Sequence, residues 1–153
     1  MAVKIEHRLG VQAPAAVIWE LLEDVSGWPA WNPLYPAAAG RIGYGELLKL
    51  SIALPDQPAR AIEARILDWA PNEAIHWRTT ALQGLVTMTR YLEIESLGET
   101  NAIFSNGEIF SGWFGARAAR RARPQLKQGF AALGEAMKAR AEGLWRERAG
   151  RAT

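Results

Sequence analysis

Apolar and polar positions alternate along most of this chain, and then the period changes. Val3, Ile5, His7, Leu9 and Val11 interleave with Lys4, Glu6, Arg8 and Gly10, which is the period-two signature of a half-buried strand. Ala13-Pro14 then opens a helix whose apolar face is Val17, Ile18, Leu21, Leu22 and Val25, with proline at a tolerated first-turn position. Ser26-Gly27 stops it, and the prolines of Trp28-Pro29-Ala30-Trp31-Asn32-Pro33 allow only a short second helix. Six further strands are predicted, over residues 37–42, 46–54, 60–69, 74–80, 86–97 and 100–110, separated by turns rich in glycine, proline and asparagine. From Pro124 to Trp145 the period becomes helical: Leu126, Phe130, Leu133, Met137, Ala141 and Leu144 recur at steps of three and four. Burying that stripe contributes on the order of 8–15 kcal/mol gross, at roughly 1.5–3 kcal/mol per large side chain. Such a helix needs a large partner, and the preceding strands supply one.

The predicted order is strand, helix pair, six strands, long helix. Consecutive strands joined by short turns make an antiparallel meander, and helices segregated at its ends indicate an α+β fold in which one curved sheet wraps the last helix. A length of 153 residues without repeat or linker suits one domain, taken here as residues 1–148 with a tail at 149–153.

Composition narrows the function classes. No apolar run approaches the roughly 18 residues that span a bilayer. The opening Met1-Ala2-Val3-Lys4-Ile5-Glu6 lacks the apolar block of a secretory signal, so a cytoplasmic location is expected. The absence of cysteine removes disulfides, thiol nucleophiles and thiolate metal sites. The two histidines do not fall in an H-x-x-x-H spacing, so no metal and no cofactor is expected. There is no phosphate-binding glycine loop, paired-carboxylate motif or Ser-His-Asp set. The net charge of +2 conceals an asymmetry: residues 117–151 hold ten Lys/Arg against three Glu, the remainder eight against thirteen. A basic helix across an acidic sheet accounts for this most simply, and an anionic partner is the alternative.

Polar residues on apolar strand faces are the candidates for chemistry. His7 stands among aliphatics, either as a base or ligand-bonding group or, more commonly for a lone histidine, as a core residue held by a carboxylate or carbonyl. His76 alternates with Ile75 and Trp77 and reads as a surface residue. Arg90 lies between Met88 and Leu92 on an inward face and needs a partner, since a lone buried guanidinium is very costly. Glu108 is the natural one. A two-residue Gly98-Glu99 hairpin sets positions near 107 opposite 90, and a slip of one residue moves Glu108 from one face to the other. If Arg90, Glu108, Asn106 and His7 converge, they make a polar cluster able to polarise a carbonyl; otherwise Arg90 and Glu108 form a buried pair that fixes register.

Three stretches resemble a known family. Val11-Gln12-Ala13-Pro14-Ala15-Ala16-Val17-Ile18-Trp19 resembles the start of its first helix, and Asp24-Val25-Ser26-Gly27-Trp28-Pro29-Ala30-Trp31-Asn32-Pro33 its aromatic, proline-rich linker. Gly107-Glu108-Ile109-Phe110-Ser111-Gly112, with Gly129-Phe130 and Ala136-Met137-Lys138, resembles its last strand and final helix. The family is the START-like (SRPBCC) superfamily of helix-grip proteins, which includes polyketide cyclase/dehydrase-type and lipid-transfer members. The resemblance implies a cavity between sheet and long helix that takes a small hydrophobic ligand, lipid-like or polyketide-like. A cyclase or dehydratase using Arg90, Glu108 and His7 is the alternative. The expected ligand-binding residues are Trp31, Trp77, Arg90, Phe104, Asn106, Glu108, Phe130 and Leu133. A third reading is an adaptor: Trp113-Phe114-Gly115 beside Arg117, Arg120, Arg121 and Arg123 suits peripheral contact with an anionic membrane. The arginines suit phosphates generally, but no nucleic-acid partner is expected, and a short capping helix with a solvated basic face explains them more simply.

Overall fold

The computed structural model describes residues 2–151. Strand β1 (Val3–Val11) leads into helix α1 (Ala15–Glu23) and a 3-10 segment (Val25–Ala30). Six strands follow: β2 (Ala37–Ala39), β3 (Leu47–Ile52), β4 (Arg60–Ala70), β5 (Ala74–Ala81), β6 (Val86–Ser96) and β7 (Ala102–Ser111). Helix α2 (Gly115–Arg151) ends the described chain. The seven strands form one antiparallel sheet in the order β1-β7-β6-β5-β4-β3-β2. The fold is α+β, and α2 packs on β1, β7 and β6 and against α1.

The alternation read from sequence sets the sheet's inner face. Ile5, Leu48, Leu50, Ala64, Ile66, Ile75, Trp77, Leu92 and Phe104 are buried there, and the helical stripe Leu126, Phe130, Leu133, Met137 and Ala141 is buried against them, with Leu144 half-buried. The alternation survives an irregularity in β4. Register shifts between Ile66 and Asp68, so Leu67 is the extra residue of a bulge and Trp69 returns to the inner side, where it stacks on Trp19 of α1 with ring centroids 6.2 Å apart. Helix and sheet approach closely at Gly134, where a Cβ would stand 2.6 Å from His7 Nδ1.

Several element boundaries differ from expectation. Strand β2 is shorter than residues 37–42 because Gly40 turns the chain at φ +123°. Helix α2 begins nine residues before Pro124 and continues through residues 149–151, where a tail was expected. Pro124 cannot donate to the carbonyl four residues back, but it sits on the exposed side of the helix, where that carbonyl is open to water.

The largest correction is at the β6–β7 turn. Leu97 N donates to Asn101 O, so three residues, not two, form the loop. The pairing moves by one, Arg90 faces Glu108 directly, and Glu108 lies on the inner face.

Candidate functional site

The inner face of the sheet and the first half of α2's apolar stripe enclose an open cleft. Tyr35, Ile62, Trp77, Thr79, Met88, Arg90 and Glu108 line it from the sheet side, and Leu126 and Phe130 from the helix. The full hollow measures about 690 Å³. Its lining also includes Glu63, Arg65 and Arg78, which alternation assigns to the outer face of β4 and β5, so this volume is an upper bound for the inner chamber. Even half of it falls within the range of small-molecule sites.

Arg90 is the anchor of the cleft floor, 2% exposed. Its Nε donates to the Tyr35 hydroxyl at 3.0 Å and one terminal nitrogen to the Asn106 amide oxygen at 2.9 Å. The other donates to the carbonyls of Tyr91 at 3.1 Å and Gly107 at 2.9 Å. The Phe130 ring covers the guanidinium from the helix side, its centroid 4.2 Å from Cζ. Asn106 in turn donates to the Phe130 carbonyl at 3.0 Å, tying strand β7 to α2. Behind Arg90, the rings of Trp28, Tyr35 and Trp77 pack together at centroid separations of 5.5–6.1 Å.

Glu108 therefore does not pair with Arg90 as the sequence suggested. The guanidinium is satisfied by Tyr35, Asn106 and two carbonyls. Glu108, opposite it on the neighbouring strand, makes no hydrogen bond or ion pair with any described residue. Burial pushes its carboxyl above the usual carboxylate range, and the nearby charges of Arg90 and Arg60 only partly counter this. Tyr35 is also pushed up, by burial first, so its phenol stays protonated near neutral pH. Its oxygen accepts from Arg90, and no described residue accepts its own proton. The cleft thus contains the free Tyr35 hydroxyl donor, the uncommitted Glu108 carboxyl and a fixed positive charge behind them. Thr79 and Arg60, opposite Met88 and Ile52 on the neighbouring strands, add a second hydroxyl and a second guanidinium to its lining.

Of the residues singled out from sequence, Trp77, Arg90, Glu108 and Phe130 line the cleft. The others do not. Asn106 sits behind Arg90, fully buried. Phe104 and Leu133 are sealed in the core, each 0% exposed. Trp31 is only half-buried, at the end of the 3-10 segment. His7 pairs with Asn106 across β1 and β7, but its ring lies under α2 at Gly134, away from the cleft, and its Nδ1 is buried without a hydrogen-bond partner among the described residues. Alternation assigns a face, not a position along it, so His7 could share a face with Arg90 and still miss the site. His76 is partly buried on the outer face and meets Glu93 at 3.0 Å. Sequence reasoning places Tyr35 only among the several aromatics able to line a pocket and does not identify it as the partner of Arg90, a contact that spans 55 residues.

Outside the cleft, Tyr91 donates to Glu6 on the outer face, in space left by Gly107, where a Cβ would stand 2.3 Å from the Tyr91 hydroxyl. Among the described residues, no three His, Asp or Glu side chains are grouped so as to hold a metal ion, and no helix is long and apolar enough to cross a membrane.

The sequence profile of the family described as polyketide cyclase/dehydrase and lipid transport matches residues 2–142. No protein of curated function matches the sequence. Among solved structures, the chain is similar to the Zhui aromatase/cyclase from Streptomyces sp. R1128, with a TM-score of 0.73 and 20% identity over 93% of this chain and 94% of that one. It is also similar to a START superfamily protein from Mycobacterium smegmatis (TM-score 0.72, 16% identity, covering 92% and 98%). A third is norcoclaurine synthase from Thalictrum flavum (TM-score 0.68, 14% identity, covering 91% and 86%). At these identities the likeness is one of fold.

Proposed function

The chain belongs to the polyketide cyclase/dehydrase and lipid transport family, and from that premise we propose that it binds a small hydrophobic, carbonyl-bearing molecule in the cleft between the inner sheet face and α2. One observation carries this reading. The walls Trp77, Met88, Leu126 and Phe130 are apolar, and the uncommitted polar groups that line the same cleft include the Tyr35 hydroxyl and the Glu108 carboxyl, together with the Thr79 hydroxyl and the Arg60 guanidinium. That combination suits a ligand with an apolar body and one oxygenated end. The Tyr35 hydroxyl donates to the ligand carbonyl, and Arg90, already bonded to the Tyr35 oxygen, makes that donor stronger. Phe130 and Trp77 contact the ligand body.

Native mass spectrometry of the protein purified from its own host tests the reading. A retained small molecule is expected, and it is lost in Thr79→Trp, which fills the inner face beside Met88. A protein that carries nothing and gains no affinity for bicyclic aromatic ketones at micromolar concentrations contradicts it.

Glu108 favours a second reading, turnover of cyclase/dehydratase type. A carboxyl raised above its usual range by burial, and hydrogen-bonded to no described residue, is suited to accept and return a proton. It would take a proton from the carbon next to a ligand carbonyl while Tyr35 stabilises the enolate oxygen. The enolate carbon then attacks a second carbonyl in the same molecule, and Glu108 returns the proton to the new alkoxide. Glu108→Gln separates the two readings: a carrier keeps its ligand and shows no turnover in either form, whereas an enzyme keeps binding and loses turnover.

A further inference from the structure

One surface has no part in the cleft. The loop between β5 and β6 holds Leu82 outward at 62% exposure, with Leu85 beside it at 41%. Leu82 and Gln83 take positive φ values of 52° and 56°, conformations that side-chain-bearing residues avoid. The turn before α2 is fastened to this loop, Phe114 N donating to Leu85 O at 3.1 Å. It presents Trp113 at 90% exposure and Phe114 at 40%. Four large apolar side chains thus form one exposed tip, which is unusual on a freely soluble surface.

The charge around this tip has one sign. Leu82 and Phe114 share a surface depression with Arg117 and Arg121, and Arg120 and Arg123 follow on the same helix. All four arginines are exposed, and none makes a hydrogen bond or ion pair with a described residue. No Asp or Glu occurs between Glu73 and Glu93 or between Glu108 and Glu135, so both contributing segments lack carboxylates. The first turn of α2 contains no acidic residue. Arginines there oppose the helix dipole, so helix stability does not account for them.

We propose that this tip is a docking surface for an anionic lipid bilayer. Trp113, Phe114 and Leu82 enter the interface, where tryptophan partitions well, and Arg117, Arg120 and Arg121 meet the phosphates. The tip also adjoins the cleft: Ala81 lines the hollow and is followed directly by Leu82. Docking therefore sets one rim of the cleft at the membrane surface. The inference does not depend on what the cleft holds.

Sedimentation with large unilamellar vesicles tests it. The protein is expected to bind vesicles of phosphatidylcholine mixed with phosphatidylglycerol, and to bind pure phosphatidylcholine at least tenfold more weakly. Trp113→Ala and Arg121→Glu should each weaken binding to mixed vesicles at least fivefold. Arg140→Glu, the same charge change at an exposed position far along α2, should leave it within twofold. Both tip residues are exposed, so thermal unfolding should be unaffected, which separates lost docking from lost fold. No sedimentation with mixed vesicles overturns the proposal, as does equal loss in Arg140→Glu. A concentration-dependent dimer abolished by Trp113→Ala, without vesicle binding, assigns the tip instead to a second copy of the chain. Retention on immobilised polyglutamate without vesicle binding assigns it to an acidic protein. Either result overturns the lipid proposal.

Discussion

Replacing Arg90 with methionine tests the internal logic of the cleft. The substitution keeps the aliphatic length and removes all five donors. It strips the donor from the Asn106 oxygen and the Tyr35 hydroxyl, which now accept from Arg90 at 2.9 and 3.0 Å and belong to residues 0% and 1% exposed. A stranded buried polar group costs about 1–3 kcal/mol. Relief from burying a guanidinium offsets part of the sum, so a net loss of about 2–4 kcal/mol is expected. The informative measurement is the cycle with Glu108→Gln, followed by urea unfolding at neutral pH. Arg90 is one of the two charges that hold the Glu108 carboxyl down against its burial. Removing Arg90 makes the ionised Glu108 harder to bury, so neutralising Glu108 should help more in the Arg90→Met background than in the parent. The double variant should be more stable than the sum of the singles by about 0.5–3 kcal/mol, the range for groups in one network. Additivity within about 0.3 kcal/mol, or an Arg90→Met loss below about 0.5 kcal/mol, refutes the account of Arg90 as the satisfied anchor beside a free carboxyl.

Other expectations follow from the same geometry. Glu108 has its folded-state carboxyl raised above the unfolded value, so the folded state binds more protons, and stability falls as pH rises from about 4.5 to the folded value, by up to about 1.4 kcal/mol per pH unit. Glu108→Gln should therefore match the parent in acid and be the more stable form near neutral pH; the opposite order in chemical denaturation across pH contradicts the burial argument. Gly107→Ala places a Cβ 2.5 Å from the Ile5 carbonyl oxygen as well as against Tyr91. It should cost about 1–3 kcal/mol in thermal unfolding, and Tyr91→Phe should recover little of it, because the backbone clash remains. Leu133→Ala should cost about 2–5 kcal/mol from its fully buried position and leave ligand affinity unchanged, whereas Phe130→Ala should reduce both stability and affinity.

The sheet, its inner face and the stripe of α2 could be read from periodicity because each rests on local alternation that burial enforces. Val3 to Val11 and Leu48 to Ile52 behave as their patterns dictate. What could not be read was pairing. The turn after β6 contains Gly98-Glu99, a good two-residue hairpin signal, yet Leu97 bonds to Asn101, and that single extra residue decides whether Glu108 faces the cleft. Position along a face was equally hidden. His7 and Arg90 share the inner side, but only the approach of α2 at Gly134 shows that His7 is covered. Tyr35 meets Arg90 from 55 residues away, a contact no local pattern carries. The start of α2 was misjudged because Pro124 reads as a boundary, and the exposed side of a long helix tolerates it.

Chemical-shift mapping with a bicyclic aromatic ketone tests the central claim most directly. Selective methyl and aromatic labels report on Met88, Trp77 and Phe130 in the cleft, on Leu133 in the core, and on Trp113 at the tip. The account predicts saturable shifts at Met88, Trp77 and Phe130, a shift of the Glu108 carboxyl carbon, and none at Leu133 or Trp113. Saturable shifts confined to the outer face or the tip, or no shift at Met88 and Glu108 at saturating ketone, contradict it.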